Sequence, residues 1–225
     1  MGIEPKNDQY LNPPPLRRLF DTVFYHFVVM VLRIILFFLF GLRVRGRENL
    51  KNLTGGFISI SNHVHHLDCG MVSAQMRRRR MVFASVPQNL KDRGIGFFTR
   101  HLGCFPVPKT PKEFTVFENR VKALLERGWA VHFFPEGHLE PYCKELRPFT
   151  RGAFVYACRF NVPVVPMTVT YRAKVFWKRK PPMTLTILPP VFPEENTRAE
   201  TVRMLERCRG LMDPDGTKSV MLTLL

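Results

Sequence analysis

The residues best suited to chemistry lie in two short stretches. The first is Asn62-His63-Val64-His65-His66-Leu67-Asp68, directly after the apolar run Gly56–Ser61. A histidine at the end of a strand can meet a carboxylate in the turn, or the first helical turn, beyond it. The carboxylate then accepts from Nδ1–H, fixes the tautomer and leaves Nε2 able to take a proton. Such a pair is a general base that activates a substrate's own hydroxyl, with no nucleophile needed on the protein. The same residues admit other readings. Asp68 can be a helix N-cap with the histidines as satisfied polar groups. His63, His65, His66 and Asp68 can be a metal site, although consecutive residues rarely converge on one ion and no H-E-x-x-H spacing exists. Cys69, adjacent to Asp68, can be a nucleophile. The second stretch is Phe134-Pro135-Glu136-Gly137, closing the run Trp129–Phe134. It puts a carboxylate at the end of a strand, where α/β sheets bind ligands, and Gly137 lets a backbone N–H approach closely.

Holding these groups requires a sheet with helices around it. Gly56–Ser61, Met81–Ser85, Cys104–Val107, Trp129–Phe134, Val164–Tyr171 and Thr184–Leu188 read as strands. Thr110–Arg127 is the clearest helix, with Thr110 as N-cap, Pro111 at the first helical position and Glu113 closing a capping box. Phe114, Phe117, Val121, Leu124 and Leu125 make one apolar stripe along it, and Gly128 ends it. Gly152–Phe160 reads as a further helix, and Thr197–Arg209 repeats the capping pattern with Thr197 and Glu200. Strands alternating with helices predict an α/β fold, a mixed central sheet flanked by helices.

The chain of 225 residues carries 34 Lys and Arg against 18 Asp and Glu, a formal net charge of +16. It is 45% hydrophobic, with 20 phenylalanines. Disorder and low complexity are excluded by that apolar content. A greasy, strongly basic chain meets a polyanion, either nucleic acid or an anionic membrane surface. The five cysteines are odd in number and hold no C-x-x-C pair, which argues against a disulfide framework or zinc ribbon and for a reducing compartment. No cleavable signal peptide is evident, since polar residues and Pro13–Pro15 precede the first apolar run.

Four motifs stand in order along the chain: NHxxxxD at Asn62–Asp68, GCFPVPK at Gly103–Lys109, FPEG at Phe134–Gly137 and VPVVP at Val162–Pro166. With Arg151-Gly152-Ala153-Phe154 between the last two, this series resembles the PlsC-like glycerolipid acyltransferases, which include the 1-acyl-glycerol-3-phosphate acyltransferases. The resemblance implies that His63 deprotonates an acceptor hydroxyl while Asp68 orients the imidazole. The alkoxide would attack the thioester of acyl-CoA or an acyl-carrier-protein, with no acyl-enzyme, no metal and no cofactor. The expected acceptor is a lysophospholipid, most simply 1-acyl-glycerol-3-phosphate, giving phosphatidic acid. Lys109 would face the acceptor phosphate, at a position where the family usually has Arg. Glu136 would accept from a glycerol hydroxyl, Gly137 would complete that site, and Arg151 or Lys144 would contact phosphate. After FPEG this chain has His138 and Leu139 where the family usually has Thr and then Arg or Ser, which bears on the acceptor's head group.

Val23–Leu42 is the greasiest stretch, long enough to cross a hydrocarbon core, yet Arg33 sits within it and arginines flank both ends. Two basic flanks suit a segment whose ends face one anionic leaflet. The expectation is a monotopic anchor, one bent helix or two short ones broken near Arg33, on the cytoplasmic face of the cell membrane. Transmembrane and buried-core helices are the other readings. The expected organisation is residues 1–43 as lead-in and anchor, 44–212 as the α/β domain and 213–225 as an unpatterned tail. Arg77–Arg80 reads as a solvated helix end or a polyanion contact. No zinc finger, helix-turn-helix or RNP signature accompanies the charge, so nucleic-acid binding is the weaker alternative, beside a non-catalytic lipid-binding relative.

Overall fold

Near-continuous apolar runs such as FISIS, MVFAS and VVPMTVTY belong to strands buried on both faces. The computed structural model describes residues 11–76, 79–92, 95–173 and 181–214. Its strands are β1 (Arg43–Arg45), β2 (Phe57–Ser61), β3 (Met81–Ser85), β4 (Phe105–Pro106), β5 (Ala130–Phe133), β6 (Val164–Tyr171) and β7 (Met183–Ile187). They form one seven-stranded sheet in the order β1-β7-β6-β2-β5-β3-β4. β6, β2, β5, β3 and β4 are parallel, while β7 pairs antiparallel with β6 and β1 lies parallel to β7. The sheet is mixed and flanked by helices, as expected from the alternating pattern.

The helices are α1 (Pro15–Phe38), α2 (Asp68–Ser73), α3 (Pro87–Lys91), α4 (Ile95–His101), α5 (Pro111–Glu126), α6 (Gly152–Phe160) and α7 (Arg198–Met212), with a 3-10 turn at Arg47–Leu50. α5 and α7 start at the caps the sequence marks: Thr110 accepts from the Glu113 N–H, and Thr197 from the Glu200 N–H. One face of the sheet, with Ile58, Ile60, Val131 and Val164, packs on Phe117, Val121 and Leu124 of α5, Phe154 of α6 and Met204 of α7. The other face, with Phe57, Met81, Val165 and Leu185, packs on Met71 and Val72 of α2 and Leu36 of α1. Phe114 departs from the expected stripe: it is 52% exposed, outside the arc that faces the sheet. β1, the 3-10 turn, α3 and α4 are elements the sequence reading did not anticipate; each is at most seven residues, too short for a period to show.

α1 corrects the expected break. It is a single 24-residue helix that runs through Arg33 without interruption. The charge is accommodated by a tertiary contact, because Arg33 Nε donates to the Ala74 carbonyl at 2.7 Å. Asp21, Tyr25, Val29 and Leu36 form the inner stripe. Asp21 meets His101 at 2.6 Å, and the Tyr25 hydroxyl accepts from the Met81 N–H at 3.2 Å. At the crossing with α2, Gly70 leaves room for Leu32: a Cβ there would come within 3.0 Å of its methyl. Leu16, Leu19, Val23, Phe27, Ile34, Phe37 and Phe38 face outward, each about half exposed or more. The helix is long and apolar enough to cross a membrane, with 22% of its most apolar window buried against the domain.

Of the run Arg77–Arg80, the first two lie outside the described residues. The other two are half-buried and engaged within the fold. Arg79 donates to the carbonyls of Gly55 and Leu53 and covers the Phe57 ring. Arg80 lies between the rings of Tyr25 and Trp129. The described part of the lead-in packs on the domain, since Leu11 is buried in the core and its carbonyl accepts from Arg127. Residues 215–225 of the expected tail lie outside the described residues.

One polar group sits deep between the sheet and α2. His132 of β5 is fully buried, with Nδ1 2.9 Å from Ser59 Oγ and Nε2 3.2 Å from Ser61 Oγ. Burial, with a contribution from His63, pushes its pKa down to about 3. The imidazole is therefore neutral in the folded protein, whereas in the unfolded chain it takes a proton below its ordinary value near 6.5. Between those two values the unfolded state binds the extra proton, so acid favours unfolding. Replacing His132 with Asn removes that linkage. Denaturant titrations should find that the wild type loses about 2 kcal/mol more than the variant between about pH 7 and pH 5. Equal losses would contradict the assignment of a neutral His132.

Candidate active site

The parallel strands β2, β5, β3 and β4 deliver both sequence-marked stretches to one edge of the sheet, the C-terminal edge. Pairing of Ile60 with Phe133 sets the NHxxxxD turn beside the FPEG turn. Asn62 pins the first turn to β6: its amide donates to the Val169 carbonyl at 2.9 Å and its oxygen accepts from the Val169 N–H at 2.8 Å. The chain then curls so that Asp68, the first residue of α2, points back toward His63.

The carboxylate and imidazole meet. His63 Nδ1 lies 3.0 Å from Asp68 Oδ2. The same oxygen accepts from the backbone N–H groups of Val64 and His65, both at 2.8 Å. Asp68 is fully buried, whereas the His63 side chain is 21% exposed. An ionised carboxylate only accepts, so Nδ1 carries the proton and Nε2 keeps its lone pair. Phe134 stacks on the His63 ring at 3.8 Å between centroids, 14° from parallel, and holds its plane. His132, a neutral group beneath Phe134, adds no competing cation.

This geometry decides among the other readings of the motif. The cap position of α2 is Leu67, and the N–H groups that Asp68 accepts from precede the helix, so Asp68 is not an N-cap. His65 Nδ1 accepts from the Leu67 N–H and its ring abuts Phe40, away from Asp68. Among the described residues, no three His, Cys, Asp or Glu side chains are grouped to hold a metal. Burial, together with Cys104 and the Asp68 charge, pushes the Cys69 thiol well up, which removes it as a thiolate nucleophile.

Glu136 lies in the FPEG turn and is 6% exposed. Its Oε2 accepts from the His63 N–H at 3.0 Å and from Arg147 at 2.6 Å, and its Oε1 from the Arg147 N–H at 3.1 Å. The carboxylate expected to meet a substrate hydroxyl is thus engaged by protein donors and ties the two turns together. Gly137 has φ +81, and its N–H donates to the Phe134 carbonyl at 3.1 Å. Its side-chain position is open to solvent, and its positive φ favours glycine.

Arg147 is the residue that sequence reasoning missed. Besides Glu136, its guanidinium reaches the carbonyls of His63 at 3.2 Å and His138 at 2.5 Å. Nε and Nη1 are buried without a hydrogen-bond partner. The cation at this corner therefore comes from a loop after the motif, where His138 and Leu139 stand in the motif's own continuation. Only the local Leu-Arg-Pro-Phe surroundings mark Arg147 in the sequence, and they carry no period.

Lys109 and Arg151 are both exposed. Lys109 follows β4 on the same edge, three strand spacings or about 14 Å sideways from β2. Arg151 caps α6, next to Thr150, whose N–H donates to the Pro135 carbonyl at 2.8 Å. Lys144 lines a cavity of about 280 Å³ beside Asn62, with Thr170 and Tyr171. Val164 and Val165 of the VPVVP motif are buried in β6, so that motif builds the sheet.

Comparison with known proteins identifies the family and the fold. Residues 41–170 match the family model described as Acyltransferase. The chloroplastic 1-acyl-sn-glycerol-3-phosphate acyltransferase BAT2 of Brassica napus is 28% identical over 166 residues, covering 72% of this chain and 47% of that protein. The 1-acyl-sn-glycerol-3-phosphate acyltransferase of Bacillus subtilis is 26% identical over 142 residues, covering 63% of this chain and 69% of its own length. The chain spans just under half the length of the Brassica napus and Arabidopsis thaliana relatives. The crystal structure of the 1-acyl-sn-glycerophosphate acyltransferase PlsC from Thermotoga maritima has the same fold, with a TM-score of 0.62 at 20% identity, covering 90% of this chain and 84% of that one. The family match takes in β1 to β6, and so both turns with the His63–Asp68 pair: the chain belongs to the acyltransferase family.

Proposed function

We propose that this protein transfers a fatty acyl group from a thioester to the free hydroxyl of a lysophospholipid, with 1-acyl-glycerol-3-phosphate as acceptor and phosphatidic acid as product. The observation that carries the reading is the His63 Nδ1–Asp68 Oδ2 contact at 3.0 Å, on an imidazole whose other nitrogen is unengaged by the protein among the described residues. Nε2 accepts the hydroxyl proton as the oxygen attacks the thioester carbonyl. The tetrahedral intermediate collapses, the C–S bond breaks, and the imidazolium returns its proton to the departing thiolate. The reaction balances with the two substrates alone, so neither an acyl-enzyme nor a cofactor enters. Asp68 stabilises the imidazolium and holds the tautomer. Acyl-CoA and acyl-carrier-protein are both polyanionic donors that a chain of +16 attracts.

Glu136 and Arg147 act here as positioning residues that hold the His63 backbone. Lys109 and Arg151 are the exposed cations on this edge and supply the charge for the acceptor phosphate. Gly137 shapes the turn that the acceptor passes. The outward face of α1 seats the molecule in one anionic leaflet, on the cytoplasmic side, with Arg33 held to the domain rather than in lipid. Nucleic acid is not a partner on this reading.

Purified protein given acyl-CoA or acyl-carrier-protein with several lysolipids should form phosphatidic acid by mass spectrometry, and His63→Ala should cut kcat at least a hundredfold with little change in Tm. Near-normal turnover in that variant rejects His63 as the base. Lys109→Ala should raise KM for a phosphorylated acceptor several-fold at little cost in kcat; an unchanged KM moves the phosphate contact elsewhere. For the membrane contact, Phe27→Ser/Ile34→Ser/Phe38→Ser should keep the wild-type far-UV spectrum and reduce flotation with anionic vesicles at least tenfold, since each side chain contributes about 1.5–3 kcal/mol when fully buried. Equal flotation would assign membrane contact to another surface.

A further inference from the structure

A strongly basic recess lies away from His63. It is a cavity of about 240 Å³ at the N-terminal edge of the sheet, where β3 and β4 begin beside the first turns of α1. Arg17, Arg18, Arg80, Arg100, Arg120 and Arg127 line it, and Asp21 is the single carboxylate among the described lining residues. That carboxylate is shared: Oδ1 meets His101 at 2.6 Å and Oδ2 lies 3.8 Å from Arg17 Nε. Several guanidiniums bond to neutral acceptors that leave their charge in place. Arg127 donates to the Leu11 carbonyl and to Asn12 Oδ1, Arg100 to the Leu90 carbonyl, and Arg80 to the His101 carbonyl. Arg17 Nε and Arg80 Nε are buried with no hydrogen-bond partner.

Like charges gathered in a partly dry recess repel one another, and burial lowers the pKa of both Arg80 and Arg127, with Arg18 adding to the shift at Arg127. The fold therefore carries a cost here that Asp21, the one carboxylate among the described lining residues, does not offset for Arg17, Arg18, Arg80, Arg100 and Arg127. An anion with several acceptor oxygens would offset it, because guanidinium N–H groups match phosphate in both charge and geometry. We propose that this recess is a phosphate-binding site separate from the active site. Strands β3 and β5 separate the two by roughly 13–16 Å, so one small acceptor cannot place its hydroxyl at His63 and its phosphate here. Leu16, Leu19, Phe20 and Val23 are exposed on α1 beside Arg17 and Arg18. The phosphate of an anionic phospholipid can enter while its chains follow that apolar face, and a free phosphate or phosphate ester can enter from water. The inference does not rest on acyl transfer.

Trp129 lines the cavity and reports on it directly by fluorescence. The protein in neutral detergent would be titrated with inorganic phosphate and with dioctanoyl phosphatidic acid. Both should give saturable changes that compete with each other. Arg17→Gln/Arg127→Gln should weaken binding at least tenfold, and Arg18→Gln, at an exposed side chain, should weaken it several-fold without risk to the fold. Lys122→Gln/Arg159→Gln, which removes the same charge elsewhere, should stay within twofold of wild type. Tighter binding of the phosphatidic acid assigns the site to a lipid headgroup, and equal binding assigns it to free phosphate; either supports the site. His63→Ala should bind as wild type does, so a failure of acyl transfer leaves this result standing. Absence of saturable phosphate binding, full affinity in the recess variants, or an equal loss in the charge-matched pair would overturn the proposal.

Discussion

A single oxygen atom, Asp68 Oδ2, organises the C-terminal edge of the sheet around His63. It gathers the His63 imidazole and the N–H groups of Val64 and His65 within 3.0 Å. A fully buried carboxylate is costly unless donors surround it, and here the donors are the residues that must be shaped into a turn. The donors that Asp68 Oδ2 gathers are therefore also the contacts that orient His63. Loss of that charge would free two backbone N–H groups as well as the imidazole, so the turn and the tautomer stand or fall together.

Around this atom the fold supplies two further ties. Asn62 joins the turn to β6 through a reciprocal pair of hydrogen bonds, and Glu136 with Arg147 joins it to the FPEG turn. Parallel pairing of β2 between β5 and β6 makes both ties short, since all three strands end on the same side. The oxygens of Glu136 thereby hold the His63 backbone and the loop that carries Arg147.

What the sequence disclosed follows from how local each signal is. The caps at Thr110 and Thr197 were legible because donor and acceptor are three residues apart. The central strands were legible because burial on both faces writes an unbroken apolar run. The His63–Asp68 pair was legible because five residues separate its members. Arg147 was not, since its partners are the distant His63 and Glu136 and no spacing marks it. Nor was the continuity of α1 through Arg33, whose acceptor lies 41 residues away, or the enclosure of His132 by two serines of another strand. Phe114 was misassigned because a helical stripe read from sequence is wider than the arc a flat sheet can cover.

α1 is held to the domain by polar contacts at Asp21, Tyr25 and Arg33. A helix fastened at three levels cannot roll about its own axis. Its apolar side thus keeps a constant bearing relative to the His63 edge, as a keel does to a hull. A bilayer receiving this side would take the whole domain in one orientation.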